Sequence, residues 1–219
     1  KIKLFRDSVD VLSLSATPIP RSMNLALSGI CSISMLQTPP RLRLPIITHV
    51  EYYNDRVIKG AIDFEVGRGG QVYFVDNSVD NLRGFYSYLS KDLSGISFGF
   101  VYGSLPANSL LQTMEDFINK KTQVLLSTTI IESGIDIGST NSIIINNAHL
   151  FGLSQLYQLR GRVGRSGIQA FAWFLVPRKF SLAPDGVKRL KAIVKHSALG
   201  VGYQVSLADL DLRGSGSLF

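Results

Sequence analysis

The chain has little that could be cross-linked or chelated. A single cysteine, Cys31, among 219 residues excludes an internal disulfide and fits a reducing compartment. The histidines, His49, His149 and His196, are too scattered to form a metal-ligand motif, and no metal site is expected. No apolar run approaches the length of a membrane span, and residues 1–10 lack the basic-then-apolar order of a signal peptide, so no membrane partner is expected. There is no Gly-x-x-x-x-Gly-Lys-Ser/Thr loop and no strand closing on an Asp-Glu pair. The phosphate cradle and magnesium site of a self-sufficient nucleotide hydrolase are therefore not expected here, nor is hydrolysis by this chain alone. Charged residues are sparse at 18%, and with 45% hydrophobic residues this excludes a disordered chain. The first residue is Lys rather than Met, from which a piece of a longer protein is expected.

What charge there is leans basic. Lys and Arg outnumber Asp and Glu by 23 to 16, a net charge of +7, which suits a phosphate-rich partner but also an ordinary solvated basic surface. Pattern says more than charge. Short apolar, β-branched runs at 46–50, 71–76, 97–102, 124–128, 142–146 and 170–176 alternate with helical patterns at 55–66, 79–90, 109–119 and 154–161. That alternation predicts an α/β domain with a parallel sheet, its strands buried on both faces, and Ser78 and Asn108 as helix caps. Upstream, 9–15 reads as a strand and 20–27 as a helix, before a Pro39-Pro40-Arg41 stretch that reads as a linker. A basic helix at 185–196 and a Gly/Ser-rich end follow the sheet.

The densest chemistry lies in Gln155-Leu156-Tyr157-Gln158-Leu159-Arg160-Gly161-Arg162-Val163-Gly164-Arg165. Arg162 and Arg165 each follow a glycine, which leaves room for a ligand against the backbone. Guanidinium binds phosphate oxygens at two points and keeps its charge, so the pair suits a triphosphate whose negative charge shifts as it reacts. A solvated basic helix end is the plainer alternative. At the end of the 124–128 strand, Thr128-Thr129 would set hydroxyls and amides at the carboxyl edge of a parallel sheet, where they can hold a phosphate backbone regardless of base; Thr as a β-former closing a strand fits as well. Glu132 and Asp136 have no histidine or further carboxylate with them, so they are not read as a general-base pair.

Residues 158–165 resemble motif VI of superfamily 2 helicases. Ser15-Ala16-Thr17-Pro18 resembles motif III of that family, Ser127–Asp136 resembles motif V, and the 71–76 strand takes the place of motif IV, so the resemblance covers nearly the whole chain in the family's order. It is nearest to bacterial transcription-repair coupling factors and the related branch-migrating DNA helicases, through Ala16-Thr17-Pro18-Ile19-Pro20-Arg21, the 128–136 segment, and Ala148-His149-Leu150-Phe151-Gly152-Leu153-Ser154-Gln155-Leu156.

The resemblance implies a RecA-like parallel sheet flanked by helices, the second lobe of a helicase, with a C-terminal helical hairpin. Residues 1–38 would be the tail of the first lobe with motif III, 39–45 a linker, 46–180 the second lobe, and 181–219 a translocation hairpin and loop, truncated. The implied activity is ATP-dependent translocation on double-stranded DNA, with ATP and Mg²⁺ held mainly by the first lobe. Gln158 would sit near the γ-phosphate with Arg162 and Arg165 as the fingers, and Gly134 and Asp136 would also face the nucleotide. Thr128, Thr129, Arg189 and Arg213 would hold nucleic acid, and Ser15, Ala16, Thr17 and Glu132 would couple the two sites.

A coupling factor implies RNA polymerase and excision-repair proteins as partners; a branch-migrating helicase implies stalled replication forks; a non-catalytic α/β binding module is the third alternative. The resemblance implies the bacterial cytoplasm or an organelle of bacterial descent. Among weaker features, Arg21, Arg41 and Arg43 flank the linker and read as solvated or as closing the cleft between lobes. Lys188, Arg189 and Lys191 read as a basic helix face, Trp173 and Phe174 as core, and Gly67, Gly69 and Gly70 as a helix end and tight turn.

Overall fold

The computed structural model describes residues 43–132, 137–178 and 182–213, with isolated positions before residue 43. The strand at 9–15, the helix at 20–27 and most of the linker lie outside the described residues.

Six strands form one sheet: β1 (Ile47–Tyr52), β2 (Gln71–Val75), β3 (Phe98–Val101), β4 (Val124–Ser127), β5 (Thr140–Ile145) and β6 (Phe171–Val176). Their spatial order is β1-β6-β5-β2-β4-β3 and every pairing is parallel. The helices are α1 (Asp55–Gly67), α2 (Val79–Asp92), α3 (Ala107–Ile118), α4 (Leu153–Arg160), α5 (Pro184–Lys195) and α6 (Gly202–Arg213).

Strand alternation sorts the side chains onto two faces. Val72, Phe74, Val124, Leu126 and Ile144 point to the face covered by α1 and α2, where Ile58, Ile62, Leu82 and Leu89 are buried. Tyr73, Val75, Leu125, Ile143 and Phe174 point to the other face, against Phe117 of α3, Leu156 and Leu159 of α4, Ile193 of α5 and Val205 of α6.

Local chemistry explains the ends of several elements. Ser78 caps α2, its side chain accepting from Asn81 N, as the sequence predicts. Asn108 is not a cap: Pro106 occupies the N-cap position of α3, and Asn108 lies inside the helix. The end read as Gly/Ser-rich contains α6, whose Val205, Ser206 and Asp209 are buried. Gly69 adopts φ +79°, which fits the tight turn read there.

At the carboxyl edge a polar knot joins β2 to β5. Buried Asp76 accepts from Ser78 N at 2.7 Å, Asn81 Nδ2 at 3.2 Å, Asn146 Nδ2 at 2.6 Å and Asn147 Nδ2 at 3.3 Å. Several donors on one carboxylate hold the loops beyond β2 and β5 in a fixed relation.

Candidate functional site

Helix α4 starts just beyond the carboxyl end of β5 and runs back along the sheet, so its last turn and the loop before β6 lie at the amino edge. There the three arginines of the 158–165 segment part company. Arg160 points inward: it is 4% exposed, its Nη1 donates to Ile193 O at 2.8 Å and its Nη2 to His196 O at 2.6 Å. Those carbonyls belong to the end of α5, where helix carbonyls lack intrahelical partners. Burial pushes the Arg160 pKa down to about 10, partly opposed by Tyr157. Arg160 is thus a clamp between α4 and α5.

Arg162, half-buried, and Arg165, exposed, line a cleft together with Gln158, Arg43 and the turn 197–200 between α5 and α6. The Gly161 carbonyl accepts from Arg165 Nε at 3.3 Å and, at the limit of a hydrogen bond, from Arg43 Nη2 at 3.5 Å. Among the described residues, none of those lining this cleft carries a carboxylate. Guanidinium groups gathered in one cleft suit an anion with several oxygens, such as the terminal phosphates of a nucleoside triphosphate.

Gly164, between the two outer arginines, has φ +72°, and a Cβ there would lie 3.0 Å from Ala170 Cβ and 3.2 Å from Ile46 Cγ1. Its lack of a side chain therefore serves the turn and the packing of residues 43–46 rather than ligand access, which corrects the reading of that glycine as room for a ligand.

Thr128 and Thr129 lie at the opposite edge of the sheet. Thr128 follows β4 directly, its amide donating to Val101 O at 3.3 Å, and Thr129 opens a 3₁₀ turn, Thr129–Glu132, that packs on α4. Both threonines are half-buried. The predicted phosphate-gripping hydroxyls and the predicted fingers are thus at the two edges, with α4 as the strut between them. Arg189 of α5 donates from Nη2 to His149 O at 2.9 Å, holding α5 against the 3₁₀ turn Ala148–Leu150. His149 has its pKa lowered by burial and by Arg189.

Residues 54–167 match the helicase conserved C-terminal domain. The chain belongs to this helicase family. It is 46% identical over 217 residues, 99% of its length, to the transcription-repair-coupling factor of Myxococcus xanthus, and 44% identical over 218 residues to that of Escherichia coli K12. It spans only 18% and 19% of those two proteins. Among solved structures, RecG bound to a three-way DNA junction superposes with a TM-score of 0.76 at 35% identity, over 95% of this chain and 28% of that one. Yeast Dbp5 bound to RNA and ADP BeF3 matches with a TM-score of 0.61 at 19% identity, over 89% of this chain and 51% of that one, a likeness of fold. The α/β sheet flanked by helices is therefore the RecA-like C-terminal lobe of a helicase.

Several residues singled out in this helicase lobe lie outside the described residues: Ser15, Ala16, Thr17, Arg21, Arg41, Gly134 and Asp136, and the side chains of Glu132 and Arg213. Arg213 is the final residue of α6. Among the described residues no group of three or more His, Cys, Asp or Glu could hold a metal ion, and no helix is long and apolar enough to cross a membrane. One residue at the cleft escapes the sequence reading: Arg160 carries no signal separating it from Arg162. Arg43 reads in the sequence as solvated or as closing the cleft between lobes, and it lines the arginine cleft.

Proposed function

We propose that this chain is the C-terminal motor lobe of an ATP-dependent double-stranded DNA translocase that removes stalled RNA polymerase and couples transcription to nucleotide excision repair. The observation that carries the reading is the amino-edge cleft, where Gln158, Arg162 and Arg165 gather with Arg43. Such a cleft can bind and polarise phosphate oxygens. It is half of a nucleotide site, and the other half, with the phosphate cradle and the metal, belongs to a first lobe facing this edge.

ATP bound between the lobes would supply a phosphoanhydride whose terminal phosphoryl passes to water through a transition state with its negative charge spread over the equatorial and leaving oxygens. Arg162 and Arg165 stabilise that charge from this side, and Gln158 orients a polar group near it. The helix that ends at these residues begins at the carboxyl edge, beside the turn that Thr128 and Thr129 enter. A shift of its end on nucleotide binding therefore moves the turn that grips the DNA backbone. Arg160 carries the same displacement into α5 and α6, the hairpin ending at Arg213. Hydroxyl and amide contacts to phosphate at Thr128 and Thr129 would be blind to base sequence, as a motor on arbitrary duplex requires.

The coupling-factor reading is favoured by identity of 46% and 44% across essentially the whole chain, hairpin included. The likeness to RecG favours a second reading, remodelling of stalled forks. The parent protein, with its first lobe, separates them when given a stalled RNA polymerase on duplex DNA and, separately, a model replication fork. ATP-dependent displacement of the polymerase without fork regression is expected. Fork regression without displacement would favour the second reading, and neither activity would favour a non-catalytic binding module.

A further inference from the structure

The segment just before β1 is fastened to the loop that carries the outer arginines. Ile47 N donates to Ala170 O at 3.0 Å, Gln169 Nε2 donates to Pro45 O at 2.8 Å, and Ile46 packs where a side chain on Gly164 would stand. Arg43 is therefore delivered into the cleft by a backbone with little freedom to carry it elsewhere. Its Nε is closed off from solvent and has no hydrogen-bond partner among the described residues, and its Nη2 reaches only the Gly161 carbonyl at 3.5 Å. A buried guanidinium donor left unsatisfied is costly and uncommon. Arg160, in the same cleft wall, has found two carbonyls, whereas Arg43 stands beside Arg162 and Arg165 with its Nε unmatched among the described residues.

We propose that Arg43 is a nucleotide-binding residue, a further guanidinium that meets the terminal phosphates of the nucleotide beside Arg162 and Arg165. The proposal rests on the reading of the cleft as half of a nucleotide site. It gives the segment between the lobes a direct contact with the ligand. Binding would then draw on Arg43 and on the 161–165 loop together, because the two share the Gly161 carbonyl and the Ile46–Gly164 contact. Phosphate in DNA offers the same chemistry, but the cleft opens at the amino edge, away from the turn at Thr128.

The test uses the parent protein saturated with duplex DNA, comparing native, Arg43→Gln, Arg43→Lys and Arg165→Ala for KM and kcat with ATP, for DNA affinity against salt, and for Tm. Arg43→Gln is expected to raise KM for ATP by on the order of tenfold to a hundredfold, the loss of one charge-assisted phosphate contact, with native DNA affinity and Tm. Arg43→Lys is expected to fall between, since a point charge replaces a two-point fork. An unchanged KM with a lowered Tm would make Arg43 a structural tether of Gly161 and overturn the proposal. An unchanged KM with weaker DNA binding and a shallower salt dependence would assign it to DNA and overturn it equally. If Arg43→Gln does not fold, Arg43→Lys decides, with a native KM overturning the proposal. If Arg165→Ala turns over like the native protein, or the native protein does not hydrolyse ATP, the half-site reading fails and this proposal with it. Loss of turnover in Arg165→Ala with a native KM in both Arg43 variants would sink this proposal alone.

Discussion

Replacing Arg160 with Met tests whether motif VI and the C-terminal hairpin are one mechanical unit. The substitution keeps most of the aliphatic volume and removes two charge-assisted hydrogen bonds, to Ile193 O at 2.8 Å and His196 O at 2.6 Å. Each such bond contributes about 1.5–3 kcal/mol, and its loss leaves a helix-end carbonyl without its donor. The guanidinium's own desolvation, visible in its lowered pKa, opposes this, as does the relief of burying a charge. A net destabilisation of about 2–4 kcal/mol follows, which for a chain of this size lowers Tm by roughly 5–15 °C. Thermal unfolding followed by circular dichroism reads it directly, with Arg160→Lys expected near half the effect because one ammonium reaches one carbonyl. A Tm within about 2 °C of native would mean that water replaces the guanidinium at both carbonyls, and the clamp would be refuted.

Two further outcomes follow from the same geometry. Gly164→Ala places a side chain at φ +72° and 3.0 Å from Ala170 Cβ, and is expected to cost about 2–3 kcal/mol, read as a lowered Tm with a matching loss of ATP turnover in the parent protein; native values of both would show that the turn has slack. His149 and His196 both have folded-state pKa values lowered, His149 by burial and then Arg189, His196 by burial and then Lys195 and Arg160. The unfolded chain therefore binds these protons more readily, so stability is full above the ordinary histidine pKa of about 6.5 and falls as pH drops through the folded values. Tm measured from pH 8 to pH 5 checks this, and His196→Gln is expected to flatten the fall; an unchanged slope would remove His196 from the account.

Much of the fold is legible in the sequence because this sheet is buried on both faces. A run such as Val72-Tyr73-Phe74-Val75 is apolar throughout, and nothing about its environment needs to be known to read it as a strand. Helix α6 is harder. Its glycine start reads as part of a Gly/Ser-rich end, and only the resemblance implies a hairpin there; Ser206 and Asp209 are buried, Asp209 accepting from Ser154 Oγ of α4 at 2.9 Å. Asn108 misleads in the opposite way, being a good cap residue at a place where Pro106 already starts the helix.

The site divides along similar lines. Glycine spacing marks the 158–165 segment as unusual, but Arg160 and Arg162 are the same residue type two positions apart with opposite surroundings. Which one is swallowed depends on where the end of α5 falls, a tertiary fact. Chain direction likewise decides that Thr128, just after β4, and Arg165, just before β6, lie at different edges of the parallel sheet. Arg43 becomes distinctive only when Gln169, Ala170 and Gly164 are seen to fasten its segment to the cleft.

The central claim, that the arginine cleft is half of a nucleotide site in a DNA motor, is tested most directly by ATP hydrolysis in the parent protein, with and without duplex DNA, for native and Arg165→Ala. The account predicts that duplex DNA stimulates the native enzyme and that the substitution lowers turnover by about 10³–10⁵ while DNA binding persists. Turnover that is absent in both, or unchanged by the substitution, would contradict it.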